Sequence, residues 1–150
     1  MGDERWRPYA TVAAIIEQNQ RYLFVEEYLN SKPVLTQPAG HLEKGESLVD
    51  AVKREVFEET GWYFEATHLV KIYRYYDPVK ERAMLRTTFT GKVLDHDPHA
   101  KLDDGIIGTH WLNYEEFMKL ESQHRGSIVK RSLDDYLAGH RHSLSVLADL

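Results

Sequence analysis

Cysteine is absent from the 150-residue sequence, which excludes disulfide bonds and thiolate chemistry. Long apolar runs are also absent: the longest covers residues 10–16, far short of the roughly 20 residues of a membrane-spanning helix. The N-terminus carries Asp3 and Glu4 where a signal peptide would place an apolar stretch. We therefore expect a soluble, cytoplasmic protein that does not contact a membrane.

The sequence has fewer basic residues than acidic ones. The 19 Lys and Arg residues are outnumbered by 24 Asp and Glu residues, so the net charge is −5. Such a chain lacks the basic surface that binding to polymeric nucleic acid requires. A hydrophobic content of 42% and a charged content of 29% are ordinary for globular proteins. We expect one domain over residues 1–150, and any phosphate substrate would need positive charge from another source.

Hydrophobic patterning predicts two β-hairpins and a further strand. Runs rich in β-branched and aromatic residues are separated by short polar breaks, of which residues 17–20 are the first. A loop punctuated by Pro33 and by Pro38-Ala39-Gly40 follows the first hairpin. The predicted strands cover residues 9–16, 21–28, 66–76, 83–94 and 106–112.

Three helices are predicted from their end signals. The clearest covers residues 47–60, where Ser47 and Asp50 have the spacing of a capping box and Gly61 follows as a C-terminal cap. A short helix follows Asn113, and the last covers 127–138. Because the strands come in hairpins rather than alternating with helices, the pattern predicts a mixed α/β fold (α+β) with helices packed on a mixed β-sheet.

The first helix carries an unusual group of carboxylates. At about 100° per residue, Glu58 and Glu59 lie on either side of Glu55, so that the three occupy an arc of roughly 100°. Like charges at these spacings destabilise an exposed helix by about 0.2–0.5 kcal/mol per pair, and no lysine follows at i+4 to balance them.

Charge runs usually indicate a solvated face. Here, however, the arc borders the apolar stripe of Leu48 and Val52, which places the carboxylates near the core. Clustered carboxylates in that setting suit Mg²⁺ or Mn²⁺, which prefer oxygen ligands. The sequence therefore predicts a divalent cation site on this helix.

The carboxylates belong to a longer string that resembles the Nudix box, G-x5-E-x7-R-E-U-x-E-E-x-G-U, where U is an aliphatic residue. Only Trp62 departs from it, at the last position. At an average frequency of about 1 in 15 per residue type, the seven fixed identities coincide by chance about once in 10⁸ starting positions. The matching residues are Gly40, Glu46, Arg54, Glu55, Val56, Glu58, Glu59 and Gly61.

The resemblance implies a Nudix hydrolase with an α/β/α sandwich fold, which cleaves a phosphoanhydride bond with the help of Mg²⁺. Glu55, Glu58 and Glu59 would bind the metal, and Glu55 would also activate the attacking water. The backbone carbonyl of Ala39 would complete the coordination. Some members take one more carboxylate from a later loop, for which Asp103 and Asp104 are the candidates.

The remaining box residues would support the site. Glu46 and Arg54 would form an ion pair that holds the loop, while Gly40 and Gly61 would serve the turns on either side. Trp62 in place of an aliphatic residue is expected to change packing after the helix and not the metal ligands.

Three sequence segments outside the box resemble the NudJ-type phosphatases: residues 37–43, 103–107 and 110–112. This subgroup acts on nucleoside tri- and diphosphates, thiamine diphosphate and its pyrimidine diphosphate precursor. Within that reading, Arg74, Arg86 and Tyr75 are candidates to contact the small-molecule substrate.

Two alternatives stay open. A dinucleotide or ADP-sugar pyrophosphatase would use the same box, because one scaffold hosts many specificities. A nucleotide-sensing domain that has lost catalysis would have eroded carboxylates, whereas Glu55, Glu58 and Glu59 are all present. The oligomeric state cannot be predicted from the sequence.

Overall fold

The computed structural model describes residues 5–150 as one mixed sheet with helices against it. Asp3 and Glu4 lie outside the described residues. The sheet has eight strands: β1 (Tyr9–Gln18), β2 (Arg21–Leu29), β3 (Lys32–Thr36), β4 (Ala39–His41), β5 (Trp62–Asp77), β6 (Arg82–His96), β7 (Ile106–Leu112) and β8 (His142–Ser143). The helices are α1 (Leu48–Thr60), α2 (Tyr114–Lys119) and α3 (Ile128–Leu137), with 3₁₀ turns at Glu121–Gln123 and Leu144–Val146.

Strand β1 organises the sheet. It runs parallel to β6 and antiparallel to β2 and β4. Strand β6 continues antiparallel to β5, and β2 pairs with both β3 and β7. The predicted α/β fold with a mixed sheet is confirmed.

The core has two halves because β1 is buried on both faces. Val12 and Ala14 point toward α1 and pack with Val52 and Val56. Ile15 points the other way, into a second cluster with α2 and α3. A strand covered on both faces carries a continuous apolar run rather than an alternating one, which explains the uninterrupted stretch in the sequence.

Both hairpins are present, with longer strands than the pattern predicted. The first turns at two residues, Asn19 and Gln20, which both adopt positive φ; the strands therefore continue through residues that polarity alone assigned to the break. Strands β5 and β6 run to Asp77 and from Arg82, so the second turn covers residues 78–81 and is shorter than the gap between the predicted strands.

The loop predicted after β2 contains two strands that the pattern did not reveal. Strand β3 includes Pro33, a residue that argues against a central strand. It is tolerated because β3 is an edge strand: it pairs with β2, and within the described part of the chain its other side has only an isolated bridge between Leu35 and His124. Strand β4 is three residues long, too short for a periodic signal.

The helices begin and end close to the predicted residues. Ser47 caps α1 by accepting a hydrogen bond from the Asp50 N–H, and Gly61 closes it in the left-handed conformation. Asn113 and Glu116 form a capping box at α2. No helix between residues 5 and 150 is long and apolar enough to cross a membrane.

Gly91 permits the close approach of β6 to β5. A Cβ atom there would lie 1.9 Å from the backbone oxygen of Glu65. The backbone cannot move away as a flexible side chain could, so we expect Gly91→Ala to cost about 3 kcal/mol or more of unfolding free energy, or to prevent folding.

Urea unfolding measures this cost, and Gly108→Ala is the matched control. A Cβ at Gly108, also on a strand, meets nothing within 4 Å, so this variant should stay within about 1 kcal/mol of the parent chain. Equal stability of the two variants would contradict the assignment.

Candidate functional site

Three carboxylates converge at the C-terminal half of α1. One oxygen of each of Glu55, Glu58 and Asp103 lies within 4.8 Å of the others. Glu55 is buried, Glu58 is half-buried and Asp103 is exposed. Two come from adjacent turns of the helix and the third from the loop between β6 and β7.

That loop brings Asp103, and not Asp104, to the carboxylates. The N–H of Asp103 donates to the carbonyl of Glu58 at 2.9 Å, and its carbonyl accepts from Ile106 at 3.2 Å. Asp104, the other candidate ligand from this loop, is not part of the cluster. Adjacent residues of a loop point their side chains in different directions, so the backbone bond selects the first of the two.

The guanidinium of Arg54 binds the acidic group from its flank. Nε and Nη2 donate to the two carboxylate oxygens of Glu46 at 3.0 and 2.7 Å, the ion pair that the resemblance implies. Nη1 donates to Glu55 at 2.8 Å and to Glu58 at 3.1 Å. Nη2 also reaches the carbonyl of His41 at 2.9 Å, which ties α1 to β4. The lack of i+4 lysines is thus offset by this arginine.

These contacts shift the pKa values of the ion pair in opposite directions. The hydrogen bonds from Arg54 hold the pKa of Glu46 below its usual range. Hydrogen bonding to Glu46 raises the pKa of Arg54, so both groups stay charged.

Gly40 is required by the position of Glu55. A Cβ atom at Gly40 would lie 2.0 Å from the carboxyl carbon of Glu55. The carboxylate therefore rests against the bare Cα of β4, and any side chain at Gly40 would displace it.

Glu59 is the most deeply buried acid of the box. Its Oε1 accepts the N–H of Ala39 at 2.8 Å, so it points toward β4 rather than into the three-carboxylate cluster. Burial raises the pKa of Glu59 to about 9, with smaller contributions from Glu27, Glu55 and Asp103. Burial also raises the pKa of Glu55, against the opposing effect of Arg54. A nearby cation would stabilise the charged form of both carboxylates.

The end of α1 carries the one departure from the box. Trp62 packs against His96 in a tilted arrangement with ring centroids 4.5 Å apart, and it makes a T-shaped contact with Trp111 at 5.9 Å. It contacts the core beyond the helix, and Gly61 still closes α1 with a hydrogen bond to Phe57.

A cavity of about 580 Å³ lies between the β5–β6 hairpin and the start of α3. It contains all three residues expected to contact substrate, Arg74, Tyr75 and Arg86. Arg86 is buried and faces the Tyr75 ring with its guanidinium carbon 5.5 Å from the centroid. The charge of Glu59 also acts on Arg86, which links the cavity electrostatically to the acidic site.

Sequence reasoning did not single out the other cations of this region. These are Lys80, Arg82 and Arg125, which together with Arg86 act electrostatically on His41; the pKa of His41 is lowered first by burial and then by these charges. Arg125 comes from the turn before α3 and lines the cavity. No local pattern marks it, because its position depends on how that turn docks against β3.

Comparison with known proteins points to one family. The family described as NUDIX domain matches residues 6–132. Phosphatase NudJ of Shigella boydii serotype 4 is 34% identical over 144 residues, which cover 96% of this chain and 93% of that protein. Phosphatase NudJ of Escherichia coli strain K12 is 33% identical over the same extent.

A solved structure has nearly the same fold. The NUDIX hydrolase from Nitrosomonas europaea superposes with a TM-score of 0.94 at 42% identity. The match covers 96% of this chain and 98% of that one, so the likeness extends well beyond the box.

Arg54 is expected to stabilise the protein. Replacing it with alanine leaves Glu46 and Glu55 without their charged donor, and hydrogen bonds between charged groups contribute about 1.5–3 kcal/mol. We expect Arg54→Ala to lower the free energy of unfolding by about 2–4 kcal/mol in urea titrations.

Lys53→Ala is the control, because Lys53 is an exposed neighbour on the same helix with the same charge. It should change stability by less than about 0.5 kcal/mol. A similar loss in both variants would show that the arginine contacts contribute nothing specific.

Proposed function

The chain belongs to the Nudix hydrolase family, and we propose that it uses Mg²⁺ to release phosphate from nucleoside di- and triphosphates and from small pyrimidine diphosphates related to thiamine. Relatives that match 96% of the chain bear the name phosphatase, which favours release of phosphate over pyrophosphate. The observation that carries the proposal is the convergence of Glu55, Glu58 and Asp103, and the arginine-lined cavity supports it.

The donor set fits a hard divalent cation. Three carboxylates within 4.8 Å supply only oxygen ligands, which suits Mg²⁺ and also Mn²⁺. We assign Glu55, Glu58 and Asp103 as ligands. Glu59 and the carbonyl of Ala39 belong to the same assignment through the resemblance to the Nudix box, and the bond from the Ala39 N–H to Glu59 Oε1 keeps the two residues together. When bound, Mg²⁺ would neutralise charge on the phosphoryl group and lower the pKa of the water it coordinates.

Glu55 is the residue we assign to water activation. Its Oε1 accepts from Arg54, which leaves Oε2 to take the proton of the attacking water. Burial raises the pKa of Glu55, which makes it a better proton acceptor than an exposed glutamate. The absence of a side chain at Gly40 leaves room for this carboxylate.

The cavity accounts for the part of the substrate beyond the attacked phosphorus. Tyr75 and Tyr76 offer ring surfaces, and Arg74 and Arg86 offer positive charge. Stacking distinguishes rings only weakly, whereas buried polar contacts distinguish strongly. We therefore expect hydrolysis of several nucleotides rather than one.

Metal dependence tests the acidic site. Activity should be lost on chelation and restored by Mg²⁺ or Mn²⁺, and saturating metal should raise Tm because it binds the folded state. Glu58→Gln should reduce the Tm shift, since it removes a charged ligand. Glu115→Gln, an exposed acid on α2, should leave the shift unchanged. Full turnover in excess EDTA would contradict the metal assignment.

The position of bond cleavage tests the substrate proposal. Hydrolysis of a nucleoside diphosphate in ¹⁸O-labelled water should place the label in inorganic phosphate, because attack at the terminal phosphorus makes the remainder the leaving group. Mass spectrometry of the products reads the outcome. Pyrophosphate as the main product from a triphosphate, or strict preference for a dinucleotide, would overturn phosphate release and leave the family membership standing.

A further inference from the structure

The cavity is strongly basic in a protein of net charge −5. Among residues 5–150, four arginines line it and one acidic residue does, Asp77. A concave surface lined by one sign of charge attracts ligands of the opposite sign. The charge therefore suits an anionic group better than a neutral ring.

Arg86 is a buried cation without a carboxylate partner. Its side chain is 8% exposed, its Nε has no hydrogen-bond acceptor, and no acid among residues 5–150 lies within ion-pair distance. Burying an unpaired charge is costly, so a bound anion in the cavity would relieve it. This is the observation that distinguishes a binding site from a basic surface.

Arg125 is held rigidly at the cavity wall. Its N–H donates to the carbonyl of Leu35 at 2.9 Å, so its backbone lies against β3. Its guanidinium contacts Glu27 at 2.6 Å and Asp77 at 3.8 Å. These two contacts occupy only part of the five N–H donors of an arginine, and the rest stay available to a ligand. Fixing the side chain beforehand lowers the entropic cost of binding.

The first residues of α3 complete the wall. Gly126, Ser127 and Ile128 line the cavity at the point where the ten-residue helix begins. The Ser127 side chain caps no N–H, and the first turn contains no acidic residue. The N–H groups and the positive end of the helix dipole at such a terminus favour an anion.

We infer that Arg86, Arg125 and the start of α3 hold a phosphate of the leaving group, so that the enzyme selects substrates by the phosphates they retain rather than by their ring. The inference rests on the proposed function, because it takes the terminal phosphorus as the point of attack, so that the rest of the substrate departs with the phosphates it retains. A diphosphate leaves one phosphate in the cavity and a triphosphate leaves two.

Binding of a product to the metal-free protein tests the site apart from catalysis. CMP, titrated calorimetrically in EDTA, should bind the parent protein at least about tenfold more tightly than cytidine does, because only CMP has the phosphate. Arg125→Gln should weaken CMP binding by about tenfold or more. Lys92→Gln removes an exposed charge on β6 that pairs with Glu65, and this variant should bind CMP as the parent protein does.

Equal affinity for CMP and cytidine, or equal CMP affinity in the Arg125→Gln variant, would overturn the inference. The proposed function would fail separately, through absence of metal-dependent hydrolysis or through release of pyrophosphate. Steady-state kinetics add a second measurement: Arg125→Gln should raise KM for cytidine and adenosine diphosphates alike while kcat changes less than about threefold. A change confined to one base would instead indicate that Arg125 recognises the ring.

Discussion

The contacts of Arg54 are the constraint on which the acidic site depends. Carboxylates on neighbouring helical turns repel each other, and burial increases that repulsion. One guanidinium offsets it by donating to Glu46, Glu55 and Glu58 together. The planar fork of arginine suits this arrangement, whereas the single ammonium of a lysine could not bind Glu46 through two parallel bonds.

The two sides of this guanidinium contact different partners. Nε and Nη2 hold Glu46 and the carbonyl of His41, which joins helix, loop and strand. Nη1 alone contacts Glu55 and Glu58. A cation that displaced the Nη1 contacts would leave the other side of Arg54 anchored. The contacts that join helix, loop and strand are therefore made by different nitrogens from those that face the carboxylate cluster.

What the sequence could predict was decided by how local each feature is. Helix α1 was predictable within about one residue, because its apolar stripe, Ser47 and Gly61 are local signals. Strands β3 and β4 were not, since Pro33 and short length hide an edge strand. The choice between Asp103 and Asp104 depends on one backbone bond to Glu58, which no pattern in the loop records.

The same distinction separates the acidic site from the cavity. Residues 40 to 61 bring most of the acidic site together within one strand, one loop and one helix. The cavity is assembled from β3, from the β5–β6 hairpin and from the turn before α3, and Arg125 reaches Glu27 across 98 positions of the chain. Arg54 and its carboxylates are not among the residues that line the cavity. A scaffold built in this way can keep one reaction while its substrate varies, because different residues form the acidic site and the cavity.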